Sequence, residues 1–153
     1  MSVYLDSRED PAYWINELDL KPHNEGGWYR ETWLSDQVIP AGSLPPDYGE
    51  SRRASSLIYY LLRGEEVSRW HKVRSAEIWL WHAGGLLELS LGGRGEKPVF
   101  EEAQLLGSSP DRGALFQRVV GAGVWQSAKI REGTFVLVSC AVSPAFHWKD
   151  FTV

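Results

Sequence analysis

The chain has 153 residues, a formal net charge of −4 and a single cysteine, which suits one domain spanning 1–153 that is long enough to bury a core of its own. Its Lys and Arg residues are scattered among acids instead of forming a basic stripe, which excludes nucleic acid as an expected partner. No apolar run approaches the length of a membrane span and the opening MSVYLDSRED lacks the pattern of a secretory signal, so the expectation is a cytoplasmic protein with no membrane partner.

Asp10 before Pro11 offers an N-cap and a first-turn proline, and Trp14, Ile15 and Leu18 recur at helical spacing. One short helix over about 11–18 is predicted, within an N-terminal arm of about 1–33. PHNEGGWYRETW then reads as a strand with a bulge or close approach at Gly26 and Gly27. The segment 34–53, with three prolines, reads as a long loop: a lid, a contact with a second copy, or merely a surface excursion. From Ala54 to the end, SSLIYYLL, VSRWHKV, AEIWLWH, LLELSL, ALFQRVV, VWQSAKI and TFVLVSCAV are cut by turn signals at regular intervals. That rhythm predicts an all-β sandwich or barrel. Cys140, among apolar neighbours, reads as a buried inert thiol.

If VSRWHKV and AEIWLWH form a hairpin about Arg74, His71 lies opposite Glu77, Arg69 opposite Trp79 and Val67 opposite Trp81, all on one face. Opposed His71 and Glu77 would have Cβ atoms roughly 5 Å apart, close enough to share a hydrogen bond or a ligand. Trp70, Ile78, Leu80 and His82 take the other face. The pair can equally be a satisfied polar contact within a core, with the aromatics as packing.

The run Gly64, His71, Glu77, Gly84 is similar to the first motif of the cupin superfamily, and Gly121-Ala-Gly-Val-Trp-Gln126 resembles the second. PHNEGGWYRET, SSLIYYLLRGEEVSRWHKVRSAEIWLWHAG, GAGVWQ and PAFHWKDF extend the likeness to a small cupin branch of unknown function over nearly the whole chain. The resemblance implies a double-stranded β-helix, a jelly roll of two packed antiparallel sheets with a ligand cavity inside the barrel, to follow the one short N-terminal helix read from the residues above. It also implies a homodimer.

On that pattern His71 matches the first metal histidine and Glu77 the carboxylate, while Val73 and Gln126 stand where the other two histidines belong. His71, Glu77 and Gln126 would be the ligands of any weakly bound divalent metal, with His23 the one other histidine placed to reach in; the expectation is that no metal or other cofactor is used. The leading reading is a metal-independent isomerase or epimerase acting on a small anionic or sugar-like metabolite. His71 would be its base and Glu77 the orienting group. Arg69 and Arg30 could hold an anion, Trp79, Trp81 and Trp125 could stack on a ring, and Tyr59, Tyr60 or Tyr29 could serve as the acid, only one of Tyr59 and Tyr60 pointing inward. The alternatives are a non-catalytic binding or sensing module and a metal-dependent oxygenase or isomerase.

Overall fold

The computed structural model of the protein describes residues 7–153. Its helix, α1 (Pro11–Glu17), starts where the sequence says: Asp10 accepts from the Ala12 amide at 2.9 Å and Leu18 is the C-cap. Trp14, Ile15 and Leu18 pack on Leu20, Leu61, Phe135 and Leu137, closing one outer face of the barrel. No helix among the described residues is long and apolar enough to cross a membrane.

Among the described residues twelve strands follow: β1 (Lys21–Pro22), β2 (Trp28–Leu34), β3 (Val38–Ile39), β4 (Arg52–Arg53), β5 (Ser56–Arg63), β6 (Val67–Val73), β7 (Ala76–Leu91), β8 (Glu102–Leu106), β9 (Ala114–Leu115), β10 (Gln117–Val120), β11 (Gln126–Ser143) and β12 (Phe151–Thr152). The order β1-β2-β5-β11-β7-β8-β9 is antiparallel except between β8 and β9, and β10 joins β7 while β6 joins β11 and β12. The fold is an all-β double-stranded β-helix, with β7 and β11 as its two long strands.

Each long strand replaces two strands and a turn expected from sequence. Ala83, Gly84 and Gly85 do not end β7; they bend it, against register shifts in β11 between Ile130 and Val136. Gly85 is needed there because a Cβ would lie 1.9 Å from the Glu132 carbonyl oxygen. The first half of β11 pairs with β6 and the second with β5, so one strand serves both layers. The 34–53 segment is ordered, with β3 paired to β4 around two short 3-10 turns. Gly26 and Gly27 form a turn instead of a bulge: both have positive φ, and a Cβ on Gly26 would sit 2.0 Å from the Val67 carbonyl oxygen.

The expected β6 to β7 hairpin does not form. β6 pairs with β11 and β12, and β7 with β11, β8 and β10. The chain turns a corner at Arg74 and Ser75, held by Asp150: the Arg74 amide donates to its carbonyl at 3.1 Å and the Arg74 Nε to its carboxylate at 3.1 Å. His71 and Glu77 are therefore not strand neighbours. They reach one cavity from separately paired strands.

The inner core is built from Tyr60, Leu62, Trp79, Leu87, Leu89, Leu106, Val136, Val138 and Cys140. Burying each large apolar side chain contributes roughly 1.5–3 kcal/mol, and this packing fills the barrel at one end. The other end stays open, and the cavity lies there.

Candidate functional site

The open end holds a cavity of about 300 Å³ lined by His23, Tyr29, Glu31, Ser56, Ile58, His71, Val73, Glu77, Cys140, Val142, Phe146, Trp148 and Phe151. Strand alternation explains the set: Tyr29 and Glu31 of β2, Ser56 and Ile58 of β5, Cys140 and Val142 of β11, and His71 and Val73 of β6 each sit two residues apart. Among the described residues the lining contains no Lys or Arg.

His71 is buried, and its Nδ1 lies 2.7 Å from the Arg69 carbonyl oxygen. A carbonyl oxygen can only accept, so Nδ1 carries the proton and Nε2 of the neutral ring keeps its lone pair. The orienting group is thus the Arg69 backbone, not Glu77 as expected from sequence. Phe151 stacks on the imidazole, with ring centres 5.4 Å apart.

Glu77 is buried as well. Burial pushes its carboxyl above the ordinary value, against the His71 charge and hydrogen bonds from Gln126 and Cys140. Gln126 Nε2 donates to Glu77 Oε2 at 2.8 Å, and Trp79 Nε1 donates to Gln126 Oε1 at 2.9 Å. Cys140 faces the cavity beside Glu77; burial, then the Glu77 charge, raises its thiol well above the usual range, which makes it a poor nucleophile.

His23 enters from the turn between β1 and β2. The Glu25 amide donates to its Nδ1 at 3.0 Å, and its ring meets Tyr29 and Tyr60 edge-on at 4.8 and 5.6 Å. Burial, with the positive charges of His71 and Arg69, lowers its pKa to about 4.

Several residues expected at the site lie elsewhere. The Arg69 side chain is 62% exposed and turns to the 23–26 segment, donating to the Asn24 carbonyl and lying 3.8 Å from Glu25. Arg30 is exposed because it alternates with Tyr29 and Glu31 on β2. Trp79 and Gln126 are buried behind Glu77, in the packed end. Trp81 donates to the Gly85 carbonyl and packs on Phe116. Trp125 donates to the Gly95 carbonyl, away from the cavity, with Lys72 over its ring.

Of the tyrosines, Tyr59 faces outward against His82, Tyr60 points inward but spends its hydroxyl on the Gly26 carbonyl, and Tyr29 lines the cavity. His82 bonds Ser139 on the outer side and His147 caps the Lys149 amide.

Sequence reasoning gave no role to the strap that lines one side of the mouth. Phe146, Trp148 and Phe151 pack edge-on at 5.0 to 5.9 Å, in a segment that β12 ties to β6. Asp150 locks it: Arg52 Nε and Nη2 each bond the carboxylate at 2.8 Å, and Arg74 adds a third contact. The aromatic spacing of PAFHWKDF was the available signal.

The donors do not fit a resident metal. Val73 brings only methyls to the cavity, and Gln126 has its oxygen on Trp79 and its nitrogen on Glu77. Among the described residues no three His, Cys, Asp or Glu side chains gather closely enough to hold an ion, where zinc or iron sites ordinarily take at least three such donors.

The family model described as Cupin superfamily (DUF985) matches residues 12–153. A hypothetical protein from Leishmania major is 31% identical, with a TM-score of 0.82 over 93% of this chain and 85% of its own. A protein from Shewanella oneidensis is 33% identical, with a TM-score of 0.76 over 92% of this chain and 81% of its own. An oxalate decarboxylase variant from Bacillus subtilis shares the fold alone, at 14% identity and a TM-score of 0.54 over 88% of this chain and 30% of its own. No curated protein matches the chain. The chain belongs to the cupin superfamily, in the group that its family model describes as DUF985.

Proposed function

We propose that the protein binds a small uncharged molecule in the barrel mouth and moves a proton on it with His71, as a metal-independent isomerase or epimerase. The observation that carries this reading is the 2.7 Å bond from His71 Nδ1 to the Arg69 carbonyl, which leaves Nε2 as the ring's basic atom. Glu77 lies buried in the wall of the same cavity, its carboxyl pushed above the ordinary value by burial.

The ligand's character follows from the walls. Among the described residues they carry two acids, two histidines and no Lys or Arg, which offers an anion nothing to pair with, so the anionic ligand expected from Arg69 and Arg30 gives way to an uncharged one. Phe146, Trp148 and Phe151 give one apolar wall suited to the face of a sugar or short carbon chain. The volume of about 300 Å³ is at the small end for ligand pockets.

The test is to incubate the protein in D2O with a mixture of small uncharged sugars and hydroxycarbonyl compounds and to follow deuterium by mass spectrometry. One compound should gain a non-exchangeable deuterium with wild type, while His71→Ala binds it without labelling. Equal labelling by His71→Ala would remove the reading, and binding without labelling by wild type would make the protein a binding module.

A further inference from the structure

The two cavity histidines hold their protons on opposite nitrogens. His71 Nδ1 faces a carbonyl oxygen, which can only accept, and His23 Nδ1 faces the Glu25 amide, which can only donate. In the neutral rings His71 therefore has a bare Nε2 and His23 an Nε2–H. One ring can take a proton and the other can offer a hydrogen bond.

Arg69 touches the backbone around both histidines. The Arg69 backbone carbonyl fixes His71, while its guanidinium donates to the Asn24 carbonyl in the turn that carries His23. Gly26 lets that turn lie directly on Val67 of the same strand. Tyr29 and Tyr60 hold the His23 ring edge-on from two sides. This is more support than a packing histidine on a surface turn needs.

We propose that His23 is a second catalytic residue, a neutral hydrogen-bond donor to a carbonyl oxygen, and that the substrate is an uncharged carbonyl compound with a hydrogen on the adjacent carbon. The assignment rests on His71 being the base. His71 Nε2 takes the proton from that carbon; the C–H electron pair becomes a C=C bond, and the carbonyl π pair moves onto oxygen, where His23 Nε2–H bonds it. Solvent water at the other face of the same carbon supplies a proton, and the proton on His71 passes to the hydroxide left behind, which gives the epimer. Where that carbon carries a hydroxyl, return of the His71 proton to the former carbonyl carbon, after the enediol oxygens exchange a proton, gives the aldose–ketose isomer. No oxidant, reductant or co-reactant enters.

Neutrality suits the role. His23 is held uncharged down to about pH 4, so at neutral pH it is a donor that does not compete with His71 for the substrate proton. Preorganised donors of this kind stabilise a developing oxyanion and are worth about 100-fold in rate when one is removed.

Three uncharged ketoses, dihydroxyacetone, erythrulose and fructose, serve as probes, with loss of the proton signal next to the carbonyl followed by 1H NMR in D2O at neutral pD. Wild type should exchange at least one of them faster than buffer, His71→Ala none, and His23→Phe about 100-fold more slowly, with part of the rate regained in His23→Gln, which restores an N–H. An unchanged rate in His23→Phe beside a dead His71→Ala would overturn the role of His23 and leave the base in place. No exchange of any ketose by wild type would overturn the carbonyl assignment, whatever non-carbonyl compound the D2O mixture had labelled. Should the His23 variants fail to fold, long-range 1H–15N spectra of wild type decide: a protonated Nε2 and bare Nδ1 on His23 support the role, and the reverse contradicts it.

Discussion

Gln126 joins Trp79 to Glu77. It accepts from the indole at 2.9 Å and donates to the carboxylate at 2.8 Å, at the position where the cupin pattern has a histidine. The amide satisfies two buried groups at once, and its backbone pairs with that of His71 across β6 and β11. A residue that would otherwise bind an ion here fixes Glu77 instead.

Gln126→Leu should therefore destabilise the fold. It leaves an indole N–H and a carboxylate oxygen buried without partners, each costing about 1–3 kcal/mol, so a loss of about 2–5 kcal/mol is expected in urea unfolding at neutral pH. Gln126→Glu keeps an acceptor for Trp79 but sets a second carboxyl against Glu77, and its loss should grow as pH rises because two close carboxyls resist sharing the ionised state. A Gln126→Leu protein as stable as wild type would contradict the network.

The strap depends on Asp150. Asp150→Asn leaves the Arg52 guanidinium, only 2% exposed, with the half-exposed Glu50 carboxylate at 3.9 Å in place of its close counter-charge, and breaking a buried pair costs about 3–5 kcal/mol. Proteolysis should then cut first near Trp148. Burial alone would raise the Asp150 carboxyl, but hydrogen bonds and charges from Arg52 and Arg74 outweigh it and hold it below the ordinary value. A lowered carboxylate gives stability that is complete above the unfolded value and lost as pH falls through the folded one, so the strap should hold at pH 5 and release only below about pH 4. Release already at pH 6 would contradict the Asp150 anchor.

His23 acts in a different window. Its folded pKa of about 4 lies below the ordinary value of 6.5, so the unfolded chain binds the extra proton between those values and stability falls as pH drops from about 6.5 to about 4. With a discount for its partial exposure, the loss is on the order of 2 kcal/mol. Urea midpoints at pH 7 and 4.5 should differ in wild type, and His23→Phe should narrow that difference. An equal difference in the variant would show that His23 is not buried neutral.

Much of this was legible because it is local. The Asp10-Pro11 cap, the Trp14, Ile15 and Leu18 stripe and the alternation of β5 and β6 follow from neighbouring residues, and the motif spacing singled out His71, Glu77, Val73 and Gln126. Alternation also put His82 on the face away from Glu77, where it meets Ser139. The errors are nonlocal. A two-residue gap at Arg74 and Ser75 suggests a hairpin, but Asp150, 76 residues on, turns that gap into a corner. Trp79 shares parity with Glu77 yet lies deeper, since strand parity gives a face and not a depth. His71's real partner is a backbone carbonyl, which side-chain patterns do not show.

The His71 lone pair is the point on which the functional account stands, and a long-range 1H–15N spectrum of the wild-type protein at neutral pH reads it directly. The neutral His71 ring should show a protonated Nδ1 and a bare Nε2 whose shift moves when a ligand fills the cavity. A protonated Nε2 with a bare Nδ1 would contradict the account, because the ring would then have no base to present.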